Sequence, residues 1–326
     1  MNEDKIIIID LSASRISAVA AEVLKDNSVR IVAEESKPAK EIRHGIVEQM
    51  SGAAFSINGV VKLLQNRLRI SEIPSVSVSV NAKSMKHASY SYSRGFKNYT
   101  KITDEILSSM SEEVENIFKQ NDVDVFDVLP VAYELDGKSY DDPIGKAAYE
   151  IVGKYTLVVG NGKIRENLER CFDRTGLKLS SYQPTAIEAI SLAVLDDEEK
   201  EEGCALIHFG HSTTTLAIYA EGALQHLMVV PLGGQNITRD IQELGISELN
   251  AERLKCLKGS ALKNKVEQVI KIKIPAAEPE NEEVLIATDF LATIIEARLE
   301  EICHPIFEAI ADSPFELTAG IVITGG

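Results

Sequence analysis

Cys204-Ala-Leu-Ile-His208-Phe-Gly210-His-Ser212-Thr213-Thr214-Thr-Leu-Ala-Ile218-Tyr repeats the plan of a stretch at the start of the chain, Lys5-Ile-Ile-Ile-Ile-Asp10-Leu-Ser12-Ala13-Ser14-Arg15-Ile-Ser-Ala-Val19. Each is a short apolar run with a polar residue at its end, then a turn of small and hydroxyl residues, then an alternating apolar strand. Such a hairpin can hold an anion, because small turn residues let backbone N–H groups approach phosphate oxygens. Two of them facing each other predict a duplicated α/β nucleotide-binding fold. The copies differ at one telling place: Asp10 ends the first run, and His208 stands at the matching position of the second.

The bulk numbers agree with that plan. A chain of 326 residues is long enough for two domains. Its 44% hydrophobic and 26% charged residues are ordinary for a globular protein. A membrane span needs roughly 18 consecutive apolar residues, and no stretch approaches that. The N-terminus lacks the basic start and apolar middle of a signal peptide, which predicts a cytoplasmic chain. A net charge of −16 argues against nucleic acid as a partner, which needs clustered Lys and Arg, and against direct docking on anionic lipid. Cys171, Cys204, Cys256 and Cys303 are scattered with no C-x-x-C pair, as in a reducing compartment.

Along the chain, Val29–Ala33 reads as a third strand, Ser51–Leu68 as a helix capped by Ser51 with Phe55 on its apolar face, and Pro74–Val80 as a strand. From Asn81 to Val159 the texture changes to a small α+β insert containing a helix capped by Thr103. Lys163–Arg174 and Thr185–Leu195 read as helices. The acidic run Asp196–Glu202 reads as a solvated connection between the two halves rather than a metal site. Helices at Ile237–Leu244 and Ser247–Lys258, a strand Val266–Ile274, a long helix Ala287–Ile310 and a strand into Gly325-Gly326 complete the pattern.

Several residues are candidates for chemistry. Asp10, at a strand end before a small-residue turn, suits a carboxylate that holds Mg²⁺ through waters beside phosphates. Gly210 with Ser212, Thr213 and Thr214 makes a second anion-friendly turn. Gly233 and Gly234 precede a helix whose N-terminus attracts phosphate. Glu252 and Lys255 share a helix face, as nucleotide contacts or as a plain exposed ion pair. Each signal alone is weak; their order along the chain is informative.

In that order the pieces resemble the actin-like ATPases: phosphate hairpin one, phosphate hairpin two, Gly-Gly, a Glu-x-x-Lys helix, then Thr-Gly-Gly. Within that superfamily the chain resembles the FtsA family, bacterial cell-division proteins that tether FtsZ filaments to the membrane. The segments that carry the likeness are Arg43-His-Gly45-Ile-Val47, Leu129-Pro130 with Asp142-Pro143-Ile-Gly145, and Pro231-Leu-Gly-Gly-Gln-Asn-Ile-Thr-Arg-Asp240. Ala251-Glu-Arg-Leu-Lys255, Glu296-Ala-Arg298-Leu-Glu-Glu301-Ile and Ala319-Gly-Ile-Val-Ile-Thr-Gly-Gly326 continue it. The resemblance implies an actin-like fold with an FtsA-type insert: domain 1A at 1–81 and 160–200, insert 1C at 82–159, domain 2A at 201–235 and 287–326, and subdomain 2B at 236–286. It implies FtsZ's C-terminal tail on 2B, actin-like self-association through 1C, and ATP or ADP with Mg²⁺ between the halves. Asp10, Ser12, Ala13, Ser14, Arg15, Gly210, Ser212, Thr213, Thr214, Gly233 and Gly234 would face the phosphates. Glu252, Lys255, Gly325 and Gly326 would take the adenosine side. Family members continue to an amphipathic membrane helix, so a strand with Gly-Gly at the terminus predicts a truncated chain, with domain 2A incomplete. In the full-length protein the place of action would be the inner face of the cell membrane.

The chain also departs from the family. The family's first loop is aspartate-x-glycine-threonine-serine-lysine, and here Ser12 and Ala13 replace the glycine and threonine. The family's second loop starts with an aspartate and three glycines, and here His208, His211 and Ser212 intrude. A neutral imidazole lacks the negative charge that a hard cation prefers. The expectation is weakened Mg²⁺ binding and lost or slow ATP hydrolysis, in an adaptor rather than an enzyme. An adaptor of the PilM type and an active actin-like ATPase or sugar kinase are the alternatives. A metal reading of His208-x-x-His211 is disfavoured, because residues three apart on a strand point to opposite faces.

Overall fold

The computed structural model describes residues 5–26, 28–121, 123–140, 142–180, 183–278 and 282–325, so Gly326 lies outside the described residues. The chain divides into two compact units. One comprises Met1–Leu206, Leu216–Val229 and Phe315–Val322; the other comprises Ile207–Thr215, Val230–Pro314 and Ile323–Gly326.

In the first unit, β1 (Lys5–Leu11), β2 (Arg15–Val23) and β3 (Val29–Pro38) form an antiparallel meander. Ile7 and Ile9 are buried while Ile6 and Ile8 are exposed, the alternation expected of a strand with one covered face. A two-residue hairpin follows, β4 (Ile42–Arg43) and β5 (Ile46–Val47), with His44 and Gly45 both at positive φ. Helix α1 (Met50–Leu68) buries Ala53, Ile57, Val60, Val61 and Leu64 at helical spacing. Its N-cap is Gln49, not Ser51, whose hydroxyl instead accepts a hydrogen bond from Arg174 at 2.7 Å. Phe55 falls on the solvent side of α1, 81% exposed, against the sequence expectation. Strand β6 (Ser77–Ser79) is shorter than predicted and runs parallel to β1, giving the order β3-β2-β1-β6.

The insert is α+β with its own core. It contains β7 (Lys86–Lys101), α2 (Asp104–Lys119), β8 (Val123–Leu135), β9 (Lys138–Tyr140) and β10 (Ala147–Asn161), with sheet order β7-β10-β8-β9. The middle of β7 alternates: Tyr90, Tyr92 and Phe96 pack on the insert core, while the intervening serines face out. Ile102, Met110, Val114, Ile151, Tyr155 and Leu157 fill that core.

Helices α3 (Ile164–Asp173) and α4 (Ala186–Val194) return the chain to the first sheet. The acidic run is a helix, α5 (Asp197–Glu202), rather than an open connection. Asp196 and Glu199 close a reciprocal capping box of 2.8 and 2.9 Å that satisfies two orphan N–H groups. Strands β11 (Cys204–Phe209), β12 (Thr214–Ala220) and β13 (Ala223–Val230) follow, and the larger sheet has the order β16-β11-β12-β13-β7-β10-β8-β9, where β16 is Gly320–Gly325.

The second unit holds the tips of β11, β12 and β16 with α6 (Gly234–Gln242), α7 (Glu248–Lys258), β14 (Lys271–Ile274), β15 (Val284–Ala287) and α8 (Thr288–Ala311). The strand expected from Val266 begins only at Lys271, after a single 3-10 turn at Lys263–Lys265. Ile237, Ile241, Ile246, Leu254, Ile286, Leu291 and Ile295 make its core. Arg298 of α8 grips Asp240 of α6 with two hydrogen bonds of 2.6 and 2.8 Å, a bidentate pair that fixes the two helices.

Gly45 shows what the hairpin before α1 demands. Its φ is +73°, and a Cβ there would sit 1.3 Å from the carbonyl oxygen of Asn81. Gly137, in the turn joining β8 to β9, has a similar φ of +78° with nothing within 4 Å. Gly137→Ala should therefore cost only the left-handed penalty of about 1 kcal/mol. Gly45→Ala adds a backbone collision and should cost on the order of 3 kcal/mol or more, measured as the difference in urea unfolding.

Candidate functional site

The two hairpins close alike. In the first, the Ser12 N–H donates to the Arg15 carbonyl at 3.1 Å, and the register sets Leu11 opposite Ile16 and Asp10 opposite Ser17. In the second, the Gly210 N–H donates to the Thr213 carbonyl at 2.9 Å. Counting outward by the same steps sets His208 opposite Thr215, so the repeat read in the sequence is a repeat in hydrogen bonding. The pairs that occupy the corresponding positions are chemically unlike.

Asp10 lies on β1 beside Ser79 of β6, its parallel neighbour in the register. Burial pushes the Asp10 carboxyl up from the usual range, only partly offset by a hydrogen bond with Ser79 and the charge of Arg15. Around the turn, the Ser12 and Ser14 hydroxyls stand 3.4 Å apart, and the Ser14 carbonyl accepts from Ala39 at 3.1 Å. Ser14 and Arg15 are exposed, and Ala13 is half-buried.

At the second hairpin burial holds both histidines toward the neutral form: His208 is pushed down by desolvation, and so is His211. Among the described residues, His208 Nδ1 and Thr215 Oγ1 are buried with no hydrogen-bond partner. Each such orphan costs about 1–3 kcal/mol. Ser212, Thr213 and Thr214 are buried rather than offered to solvent, and the Thr214 hydroxyl donates to the Leu232 carbonyl at 2.9 Å.

The glycine pair ahead of α6 corrects one expectation. The helix N-terminus is not an open anion site, since the Gly234 N–H donates to the Gly210 carbonyl at 3.0 Å and the Gln235 N–H to the His211 carbonyl at 2.7 Å. The Gly233 N–H is taken by Asn236 Oδ1 at 3.0 Å. The orphan donors of this helix are spent on the turn of the second hairpin. Gly233 is required by this approach, because a Cβ there would lie 2.4 Å from the Gly210 oxygen. Gly325 has the same explanation: its φ is +119°, and a Cβ would lie 2.0 Å from the Phe209 oxygen.

Glu252 and Lys255 form a partly exposed ion pair, with the lysine side chain 17% and the glutamate 41% exposed, tied into the neighbouring helix. The Lys255 ammonium donates to Glu252 at 2.8 Å, to the Thr238 hydroxyl at 2.9 Å and to the Gly234 carbonyl at 3.1 Å. Burial pushes Glu252 up, but its hydrogen bonds with Lys255 and Thr238 outweigh that and hold the carboxyl below its usual range. Thr238 and Ser79 are the site residues that sequence reasoning missed. Thr238 stood inside a quoted segment without a role, and Ser79 is identified only by strand register.

Neither hairpin, taken by itself, fits Mg²⁺ well. The cation prefers several hard oxygens; the first hairpin by itself offers a single carboxylate raised by burial, and the second by itself offers a histidine that burial holds toward the neutral form. Among the described residues no group of three or more His, Cys, Asp or Glu side chains is placed to hold a metal. The raised Asp10 gives a pH test. Its folded-state pKa lies above the unfolded one, so stability linked to its protonated form is lost as pH rises through the folded value. Asp10→Asn removes that penalty, and its stability relative to wild type should increase from about pH 4 to about pH 8 in urea titrations.

Residues 205–294 match the family model described as cell division protein FtsA. FtsA of Borreliella burgdorferi is 26% identical over 338 residues, covering 100% of this chain and 80% of that relative. FtsA of Bacillus subtilis is 27% identical, covering 100% and 74%, and that of Escherichia coli 26% identical, covering 98% and 77%. Among solved structures, a PilM–PilN type IV pilus biogenesis complex superposes with a TM-score of 0.63 at 13% identity, covering 98% of this chain and 81% of that one. An MreB of Spiroplasma citri bound to ADP gives 0.58 at 14% identity, covering 99% and 85%. The chain has the actin-like ATPase fold and is similar to the FtsA cell-division proteins along its whole length.

Proposed function

We propose that the protein is a cell-division adaptor that binds the C-terminal tail of FtsZ, links it to the membrane, and holds nucleotide as a conformational ligand without hydrolysing it at a useful rate. In this reading 1–81 and 160–200 form domain 1A, 82–159 the insert 1C, 201–235 with 287–326 domain 2A, and 236–286 subdomain 2B. The observation that carries it is the pair of hairpins. Their hydrogen-bonded closure is retained, while a half-buried imidazole, held toward its neutral form by desolvation, stands where the second carboxylate would hold Mg²⁺. Bulk at Ser12, His211 and Ser212 stands where small turn residues would let backbone meet phosphate.

Two surfaces suit the assembly role. The insert's separate core makes it a rigid body able to meet another molecule of the same chain. In 236–286, Lys258, Lys263, Lys265, Lys271 and Lys273 are exposed, as are Leu257, Leu262 and Ile270, interspersed with exposed acidic residues such as Glu243, Glu267 and Glu283. Apolar side chains among charges of both signs suit an extended tail that carries apolar and charged residues. Among the described residues no helix is long and apolar enough to cross a membrane.

The test uses phosphate release and nucleotide binding together. Phosphate release from Mg-ATP should be at least about tenfold slower than from an actin-like ATPase with both loops intact. The double change Ser12→Gly with His208→Asp should tighten Mg-ATP binding by roughly tenfold. Wild type matching the intact ATPase, or a double variant no tighter than wild type, contradicts the proposal. For the partner, immobilised FtsZ C-terminal peptide should retain the wild-type chain and lose it when Lys263, Lys265 and Lys271 are changed to Glu.

A further inference from the structure

A cavity of about 260 Å³ lies within the first unit, apart from both hairpin turns, between β8, β10, α4 and the turn that joins β12 to β13. That is far more room than one water needs. Leu129 of β8, Val158 of β10, Ile187 of α4 and Leu224 of β13 give it apolar walls, and Leu192, 71% exposed, stands on its rim. Two carboxylates share these walls, Asp127 of β8 and Glu188 of α4. Burial pushes the Asp127 carboxyl up, and the charge of Glu188 pushes it further; the Val128 N–H, donating to Asp127 Oδ1 at 2.8 Å, works the other way. Among the described residues no basic side chain offsets that rise. Lys200 also lines the cavity, but its ammonium lies 3.9 Å from Asp197, whose side chain is fully exposed, so the head is drawn to the solvent side. A mostly apolar cavity with a few convergent polar groups, one of them displaced in acidity, has the make-up of a small-molecule site. Here the polar end is acidic.

We propose that this cavity is a second binding site of the protein, for a small organic cation: an ammonium group beside Asp127 and Glu188, on an apolar body that packs against Leu129, Val158, Ile187 and Leu224. A positive charge there favours the ionised form of Asp127, which burial and Glu188 both oppose. Both parts of the ligand are needed. A bare ammonium would give up its hydration without covering the apolar walls, and a neutral body would bury the carboxylates against a group that cannot answer their charge. The cavity shares no residue with the hairpin turns or with Glu252 and Lys255, so the site stands independently of nucleotide binding.

The experiment titrates phenethylammonium, which carries both parts, into the whole chain by calorimetry, beside ethylammonium (charge alone) and 2-phenylethanol (body alone). Circular dichroism melting on each variant confirms that it folds. Wild type should bind phenethylammonium with a dissociation constant of about 1 mM or tighter, and the other two at least about tenfold more weakly. Asp127→Asn, close in shape, should weaken phenethylammonium by about tenfold while leaving 2-phenylethanol within about twofold, and Glu188→Gln should act in the same direction. Ala223→Leu, on the cavity wall, adds bulk without touching the charges and should weaken phenethylammonium by about tenfold or more. The site is overturned if wild type shows no binding of phenethylammonium up to about 10 mM, or binds it no better than 2-phenylethanol. It is equally overturned if Asp127→Asn and Glu188→Gln both leave the affinity unchanged, or if Ala223→Leu binds as wild type does.

Discussion

Two hydrogen bonds, from the Gly234 and Gln235 N–H groups to the Gly210 and His211 carbonyls, organise the second unit. They spend the start of α6 on the turn of the second hairpin, so turn and helix form one piece. They allow no side chain at Gly233, whose Cβ would collide with the Gly210 oxygen. From α6 the connection runs through Thr238 and Lys255 to α7, and through Asp240 and Arg298 to α8. Gly325 is constrained against the Phe209 backbone in the same unit. The glycines that look from sequence like ligand contacts are thus first required by close backbone approach.

That constraint separates architecture from chemistry. The frame of an anion-binding hairpin survives in both copies, with matching closure and spacing. The side chains that would carry charge to a cation do not survive equally. Asp10 is held partly toward its protonated form by burial, and His208 toward its neutral form by the same cause. Desolvation moves the acid up and the base down, which lowers the charge of both. A frame kept with reduced charge suits a ligand bound for its shape and its effect on conformation, rather than for turnover.

Much of this was legible in the sequence. The hairpins, the insert and the long helix α8 follow from apolar periodicity, and the turn spacing already marked Asp10 and His208 as equivalents. What was not legible depended on tertiary contacts. Phe55 sits at a spacing that suits the buried face, yet it lies outside the narrower stripe that packs. The alternation of β7 was hidden because its inward positions are tyrosines, which read as polar until a core covers them. The acidic run forms a helix because Asp196 and Glu199 cap each other, a local bond that a count of charges obscures. At the site, pattern identified Glu252 and Lys255 but not Thr238, since nothing in a one-dimensional reading shows that three Lys255 hydrogens are already committed.

The proposed function implies that nucleotide is held without a magnesium ion as the organising charge. The direct measurement is the affinity of the protein for ATP by calorimetry, in excess magnesium and again in excess EDTA. The account predicts dissociation constants within about threefold of each other. A loss of about a hundredfold or more on chelation would show that a bound cation organises the nucleotide, and would contradict that proposal.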